Sequence, residues 1–323
     1  MTTTGRVRHA NGNGGLRRQE ARAGCTLIVP TLVVILVVII LPLAWAIMLA
    51  FQDIELIEIR QVGIFSNYTL DNILAVLTAP GFRQALVTTL IYTTSGTFLS
   101  VGIGLVAALV VRRNFRGRTI VRASMLLPYV APVVAATFVW EVMLNPQFGI
   151  VNTWGTKYLG WDSAVGFLSQ KNQVVSLLGF EFTVPIALLT VIAFEAWRYF
   201  PFAFLFLLAR VQALPGDVEE AAWVDGATPL QRFRYVIFPQ LWPVIAVLSV
   251  LRFIWTFNKF DDIYLLTGGG AGTEVVSVRV YNFLTARGDI GAAAAQALVL
   301  SLVLVVCVGL FLWLSAPKSK EAE

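Results

Sequence analysis

Glu220-Ala221-Ala222-Trp223-Val224-Asp225-Gly226-Ala227, followed by Thr228, Pro229, Gln231, Phe233, Pro239 and Pro243, is the stretch that decides how the rest of the chain is read. It predicts two short helices joined at a glycine. Asp217 is placed to cap the first, with Glu220 three residues on as its reciprocal partner. Gly226 ends that helix, because a helix often closes on a left-handed residue and glycine adopts that conformation without a Cβ penalty. Thr228 opens the second helix, with Pro229 in its first turn and Gln231 as the returning side chain. Phe233, Val236 and Ile237 recur at i, i+3 and i+4 and give it one apolar face, and Pro239 stops it. On spacing alone this is a helical hairpin of the kind an ordinary loop can hold.

Its surroundings are not ordinary. Apolar residues make up 57% of the chain and charged residues only 13%, a balance that belongs to a membrane protein and not to a soluble domain. Spanning a bilayer takes roughly 20 mostly apolar residues. Six stretches reach that length: about Thr26–Ala50, Ala85–Val111, Ala123–Met143, Phe182–Ala209, Leu241–Thr267 and Ile290–Ala316. Lipid cannot satisfy open backbone groups, so the expected fold is all-α, a bundle of six transmembrane helices with the 220–243 loop between helices 4 and 5. Pro30 and Pro42 should bend the first span, and Pro201 should open the fourth. Ser100, Gly104 and Ala108 repeat small residues every four positions, which permits close packing but is also common membrane-helix composition.

Residues 1–24, with Arg6, Arg8, Arg17, Arg18 and Arg22, read as a disordered basic tail; 25–316 form the membrane domain and 317–323 a short charged end. The apolar run behind the tail is too long for a cleaved signal, and the residues before Cys25 lack the apolar stretch of a lipoprotein leader. Cys25 and Cys307 imply neither a disulfide framework nor a metal site. The single histidine, His9, lies in the tail, so histidine-based catalysis inside the membrane is not expected. Arg112, Arg113, Arg116, Arg118 and Arg122 crowd one short loop. A nucleic-acid patch would need interleaved aromatics and a soluble face, so between two apolar spans they read as a cytoplasmic flank. Together with the tail and the 210–240 loop they hold most of the loop Lys and Arg, which places both termini and the Glu-Ala-Ala stretch in the cytoplasm. Residues 144–181, with Trp154, Tyr158 and Trp161, read as a long loop at the opposite surface, and 268–289 as a glycine-rich loop.

Charges inside spans are costly and default to functional hypotheses. Glu195 and Arg198 stand at i, i+3 on one helix face and can neutralise each other. Trp197-Arg198-Tyr199-Phe200-Pro201-Phe202 places aromatic rings around a proline. Arg252, Trp255, Thr256, Asn258 and Lys259 form a second polar-aromatic group on the fifth span, where Asp261 and Asp262 can serve a structural pairing with Lys259. An apolar cavity with a few placed polar groups is the general form of a small-molecule site. The Gly268-Gly269-Gly270-Ala271-Gly272 run is not a nucleotide loop, since no Gly-Lys-Ser/Thr follows.

Glu220-Ala221-Ala222, Asp225-Gly226-Ala227 and Pro239 together resemble the EAA loop of binding-protein-dependent ABC importer permeases; Val236 and Phe238 replace the usual Ile and Leu. The series Leu127-Pro128, Pro132, Trp140, Gly149, Asn152 and the segment Phe257–Gly270 resemble the sugar branch of that family, of maltose/trehalose type and first of the permease pair. The resemblance implies a cytoplasmic coupling helix that docks on an ATPase. It implies a second homologous permease, an ATPase dimer holding ATP and Mg, an extracytoplasmic sugar-binding protein and a sugar substrate, in a bacterial plasma membrane. It implies no cofactor on this chain, no ATPase site of its own and no nucleic acid. Carried onto these residues, the substrate pathway falls on Arg198, Tyr199, Phe202, Arg252, Trp255, Thr256, Asn258 and Lys259, although the basic positions depart from the more neutral maltose-type pocket.

Two other classes are weighed. A membrane enzyme would use Glu195 or Asp261/Asp262 as acid and base, but no nucleophile or metal cluster accompanies them. An ion-coupled secondary carrier would use Glu195 or Asp262 as a proton site and show inverted repeats, which the six spans do not display.

Overall fold

The computed structural model describes residues 26–61, 68–177 and 180–315. The tails 1–24 and 317–323 lie outside the described residues. Helix α1 spans Thr26–Leu49, and the short α2 (Asp71–Thr78) leads into α3 (Pro80–Val111). The pair α4 (Arg118–Val130) and α5 (Val133–Leu144) is sharply bent. Next come α6 (Ile150–Tyr158) and the antiparallel strands β1 (Gln173–Leu177) and β2 (Phe180–Val184). Then follow α7 (Ile186–Gln212), α8 (Gly216–Val224) and α9 (Pro229–Phe257). The described chain closes with α10 (Asp261–Thr267), α11 (Val276–Asn282) and α12 (Ile290–Ser315). Among the described residues five helices are long and apolar enough to cross a membrane, and the bent pair α4–α5 makes a sixth if it is one span.

The centre of the bundle is the contact between α3 and α7. Gly96, Ser100, Gly104 and Ala108 line up at four-residue spacing on the buried face of α3. A Cβ on Gly104 would lie 2.8 Å from the Ala203 Cβ and 3.0 Å from the Phe200 carbonyl oxygen; one on Gly96 would lie 2.9 Å from Glu195 Cγ. The small residues are therefore a packing requirement, because they let two backbones meet where larger side chains would hold them apart. One apolar cluster joins α3, α7 and α9 through Ala108, Phe204, Leu207 and Leu241. A second joins α3, α7 and α10 through Tyr92, Val191, Phe194 and Ile263.

The prolines of the apolar runs meet different outcomes. The third span is not straight: it bends by 96° between α4 and α5. Ala131 is extended (φ −60°, ψ 139°), as the residue before a proline tends to be, and Pro132 supplies no N–H to continue the ladder. Pro201, by contrast, does not open the fourth span; α7 runs through it, with the turn at Phe200–Phe204 packed tightly against Gly104. Nor does Pro239 stop a helix. A five-residue π-turn, Phe233–Ile237, precedes it, and α9 continues without interruption from Pro229 to Phe257. The first span repeats the device, with a π-turn at Leu36–Ile40 two residues before Pro42. Widening the ladder to i→i+5 just ahead of a proline accommodates carbonyls that lose their ordinary donor.

Three boundaries also change. The fifth span ends at Phe257 and not at Thr267, because Asn258 leaves the helix and Asp261–Thr267 forms a separate one. Residues 144–181 hold α6 and the hairpin instead of an open loop. Buried Asn152 fastens this region: its amide donates to the carbonyls of Leu144 and Val165, and its oxygen accepts from Val165 N–H. Within 268–289 the glycines form only the turn, where Gly268 (φ +61°) closes α10; Val276–Arg287 is helical.

Candidate functional site

Two regions hold the residues singled out from the sequence. The first is the connection between α7 and α9. Gly226 has φ +76°, donates its N–H to the Trp223 carbonyl at 3.0 Å, and leaves Ala227 N–H to reach the Ala222 carbonyl at 3.0 Å. These two bonds close α8 in a Schellman motif, as the glycine predicted. Thr228 caps the following helix as expected. Its Oγ1 accepts from Gln231 N–H at 3.3 Å, and its own N–H donates to Gln231 Oε1 at 2.8 Å. Asp217 is not the cap of α8. The helix starts one residue earlier, after Pro215, and Asp217 sits in its first turn, where a carboxylate still complements the helix dipole. Glu220, Ala221, Asp225, Gly226 and Pro239 are exposed, Ala222 and Ala227 half-buried. Trp223 and Val224 lie side by side at 69% and 83% exposure. Arg112, at the end of α3, grips α8 through Glu219, with paired contacts of 2.5 and 3.1 Å.

The second region lies at the other end of α9. Glu195, fully buried on α7, accepts from the Arg252 guanidinium, from Thr256 Oγ1 at 2.8 Å and from Tyr92 O–H at 3.0 Å. Its partner is thus on another helix; the expected pairing with Arg198 does not form. Arg198 turns instead to the break between α4 and α5, donating to the Ala131 carbonyl at 3.0 Å and the Pro128 carbonyl at 3.4 Å. The proline break leaves those carbonyls without helical donors, and a charged fork is a strong substitute. Asp262, also fully buried, lies 3.9 Å from Arg198 and 3.5 Å from Lys259. Lys259 further pairs with Asp261 at 3.2 Å, so the structural pairing considered for the two aspartates is present.

Tyr199 joins these charges. Its hydroxyl accepts from Lys259, while the Arg252 guanidinium and the Lys259 ammonium lie 4.3 and 4.5 Å from its ring centre. On its open side Tyr199 meets Tyr129 edge-on, and Tyr129, Phe202 and Trp255 continue as a row of rings with centroids 5.1–6.3 Å apart. The sequence-derived candidates therefore separate. Arg198, Arg252 and Thr256 are buried in internal contacts, whereas Phe202 is half-buried, Trp255 is 48% exposed and Asn258 is exposed. Tyr92 and Tyr129 were not among the candidates. Only the fold brings Tyr92 to Glu195; Tyr129 lies inside the Leu127–Pro132 proline series, which marks the segment but not its contact with Tyr199.

A bundle of long apolar helices with a capped connection at one end and a polar-aromatic layer near the other has the form of a membrane transport component. The model of the binding-protein-dependent transport system inner membrane component matches residues 100–320, and the chain belongs to that family. It is 33% identical over 294 residues to the trehalose/maltose transport system permease protein MalF of Thermococcus litoralis, covering 90% of this chain and 92% of that one. It is 31% identical over 281 residues to the trehalose transport system permease protein SugA of Mycobacterium tuberculosis, covering 87% and 84%. Among solved structures, a bacterial ABC transporter involved in the import of the acidic polysaccharide alginate superposes with a TM-score of 0.77 at 21% identity, over 94% of this chain and 98% of that one. This chain is an ABC importer permease and a multi-pass membrane protein, and the family's role is transport, not ATP hydrolysis. That sets aside the enzyme and secondary-carrier readings.

Proposed function

We propose that this permease moves a neutral disaccharide such as trehalose or maltose into the cytoplasm, driven by ATP bound with Mg on a separate ATPase dimer. A second homologous permease and an extracytoplasmic sugar-binding protein complete the complex, and both termini face the cytoplasm. Glu220, Ala221, Ala222, Asp225, Gly226, Ala227 and Pro239 belong to the surface that meets the ATPase; exposed Trp223 and Val224 supply apolar area for that contact. The sugar passes over Tyr129, Tyr199, Phe202 and Trp255, whose ring faces suit the C–H surface of a pyranose, with Asn258 and Lys259 at the rim. Arg198, Arg252 and Thr256 act on this pathway from behind, by holding the rings in place.

The observation that carries this reading is the continuity of α9. Its 29 residues run from Pro229, beside the Glu-Ala-Ala segment, to Phe257, past Trp255. At about 1.5 Å per residue that is roughly 43 Å of one rod linking the coupling loop to the aromatic row. Displacement at one end is delivered to the other, which is what alternating access by an ATP-driven importer requires.

The test is uptake by the assembled transporter in proteoliposomes, supplied with the binding protein and radiolabelled trehalose or maltose. Uptake should require enclosed ATP and be indifferent to ion gradients. Trp255→Ala, which removes a ring face without leaving a charge, should impair uptake while assembly, basal ATPase and sugar binding by the separate protein persist. Uptake on a gradient without ATP would overturn the energetic assignment. Parental uptake by Trp255→Ala, Tyr199→Ala and Phe202→Ala alike would move the pathway elsewhere.

A further inference from the structure

A second polar concavity lies at the end of α3 nearest the α8 connection, away from the aromatic row. It is a cavity of about 400 Å³ between the last turns of α3 and the first turns of α9. Leu109, Phe233 and Ile237 contribute its apolar lining and Arg112, Arg113 and Arg232 its basic lining, with Glu219 as the only carboxylate among the lining residues. Glu219 is already engaged by Arg112. Arg113 and Arg232 have no carboxylate partner among the described residues, and the Nε–H of Arg232 is buried without any acceptor. A buried guanidinium donor without an acceptor is costly, and a water or an anion in the cavity would satisfy it.

We infer that this cavity binds the head group of an anionic phospholipid. The chemistry required is a phosphate facing two free guanidinium groups, with apolar chain beneath it. Guanidinium forks match phosphate oxygens, and basic residues at a membrane surface attract anionic lipid. Lipid, and not a protein carboxylate, fits the geometry of the wall. The cavity includes Val110, and Val110 and Val106 on α3 are 66% and 60% exposed, so the site opens onto an apolar helix surface. Trp223 and Val224, the most exposed apolar residues of α8, take no part in the lining. Its position gives the lipid a purpose. The head group touches both the α3 end, which holds α8 through Arg112–Glu219, and the root of α9, so it braces the connection between loop and span.

The experiment is native mass spectrometry of the assembled transporter after exchange into mixed phosphatidylglycerol and phosphatidylcholine. The intact complex should retain phosphatidylglycerol preferentially. Arg113→Ala and Arg232→Ala should each weaken retention on the order of fivefold, and both together roughly twenty-five-fold, if each basic group contributes independently. Arg113→Lys with Arg232→Lys keeps the charge and should retain most of the preference, which separates lost recognition from lost folding; Arg116→Ala, outside the cavity, should change nothing. Equal retention of the two lipids, or an unchanged preference in the double alanine variant, would overturn the proposal. Displacement of the lipid by millimolar inorganic phosphate would reassign the site to a free anion. Loss of the ATPase subunit at unchanged lipid retention would reassign it to protein docking.

Discussion

The connection at Gly226 and the charge cluster at Glu195 sit near opposite ends of one helix and were legible to very different degrees. At the connection almost every bond is local. Gly226 reaches three residues back, Ala227 five, and Thr228 and Gln231 exchange bonds across three. At Glu195 almost every bond is distant. Its partners Tyr92, Arg252 and Thr256 come from α3 and α9, 57 or more residues away. A local motif carries its own geometry in its spacing, whereas a buried carboxylate pairs with whatever the packing of other helices brings to it. Arg198 shows the consequence. The i, i+3 rule offered Glu195 a partner on its own helix, but the broken third span exposed two carbonyls that took the guanidinium instead.

The largest expected effect tests the distant region. Removing one member of a buried pair costs about 3–5 kcal/mol because the other is left uncompensated. Glu195→Ala or Arg252→Ala should therefore sharply lower the yield of assembled complex, and Glu195→Ala with Arg252→Ala should recover part of it. Glu195→Ala with Arg198→Ala should show no such recovery. Recovery by the Arg198 combination, with none from Arg252, would reverse the assignment of partners.

Gly226 tests the local region at the next level. Proline there cannot adopt φ +76° and has no N–H for Trp223, at a cost of about 3 kcal/mol to the local fold. Sugar-stimulated ATPase and uptake should be lost while the membrane spans still assemble. Alanine meets no neighbour within 4 Å at this position, so it isolates the left-handed backbone term, about 1–2 kcal/mol, and should give a partial loss of coupling. Normal stimulated ATPase in Gly226→Pro would break the claim that this connection transmits force. The smallest effect is expected from Thr228→Ala, about 1 kcal/mol for a lost cap, read as faster amide exchange in the first turn of α9 with uptake little changed.

The membrane class, the spans and the capped connection were readable because apolar length and capping chemistry are written in consecutive residues. The fate of each proline was not. Pro132 breaks a helix, Pro201 is absorbed, and Pro42 and Pro239 follow π-turns, yet all four appear in apolar runs of similar composition. What separates them is the surrounding packing: Gly104 lets α3 close on the Pro201 turn, while Arg198 covers the carbonyls freed near Pro132. The candidate pathway was half legible for the same reason. Its rings on α7 and α9 were visible as clusters, but only the fold placed Tyr129 beside them and turned Arg252 and Thr256 inward.

The packing also enlarges the body that should move. Gly96, Gly104 and the Tyr92–Glu195 bond tie α3 to α7, Arg252 ties α9 to α7, and the cluster of Ala108, Phe204 and Leu241 joins all three, so the three helices should shift together when the connection is displaced. The most direct test places spin labels on the assembled transporter with Cys25 and Cys307 changed to Ser. One pair, Tyr235 and Leu251, lies within α9, sixteen residues apart and so separated by roughly 24 Å along the axis. The other joins Leu251 to exposed Val38 on α1. Between the nucleotide-free and vanadate-trapped states the first distance should stay constant and the second should change. A changing Tyr235–Leu251 distance with a constant Leu251–Val38 distance would mean that α9 yields at its π-turn, and that the connection and the aromatic row do not move as one.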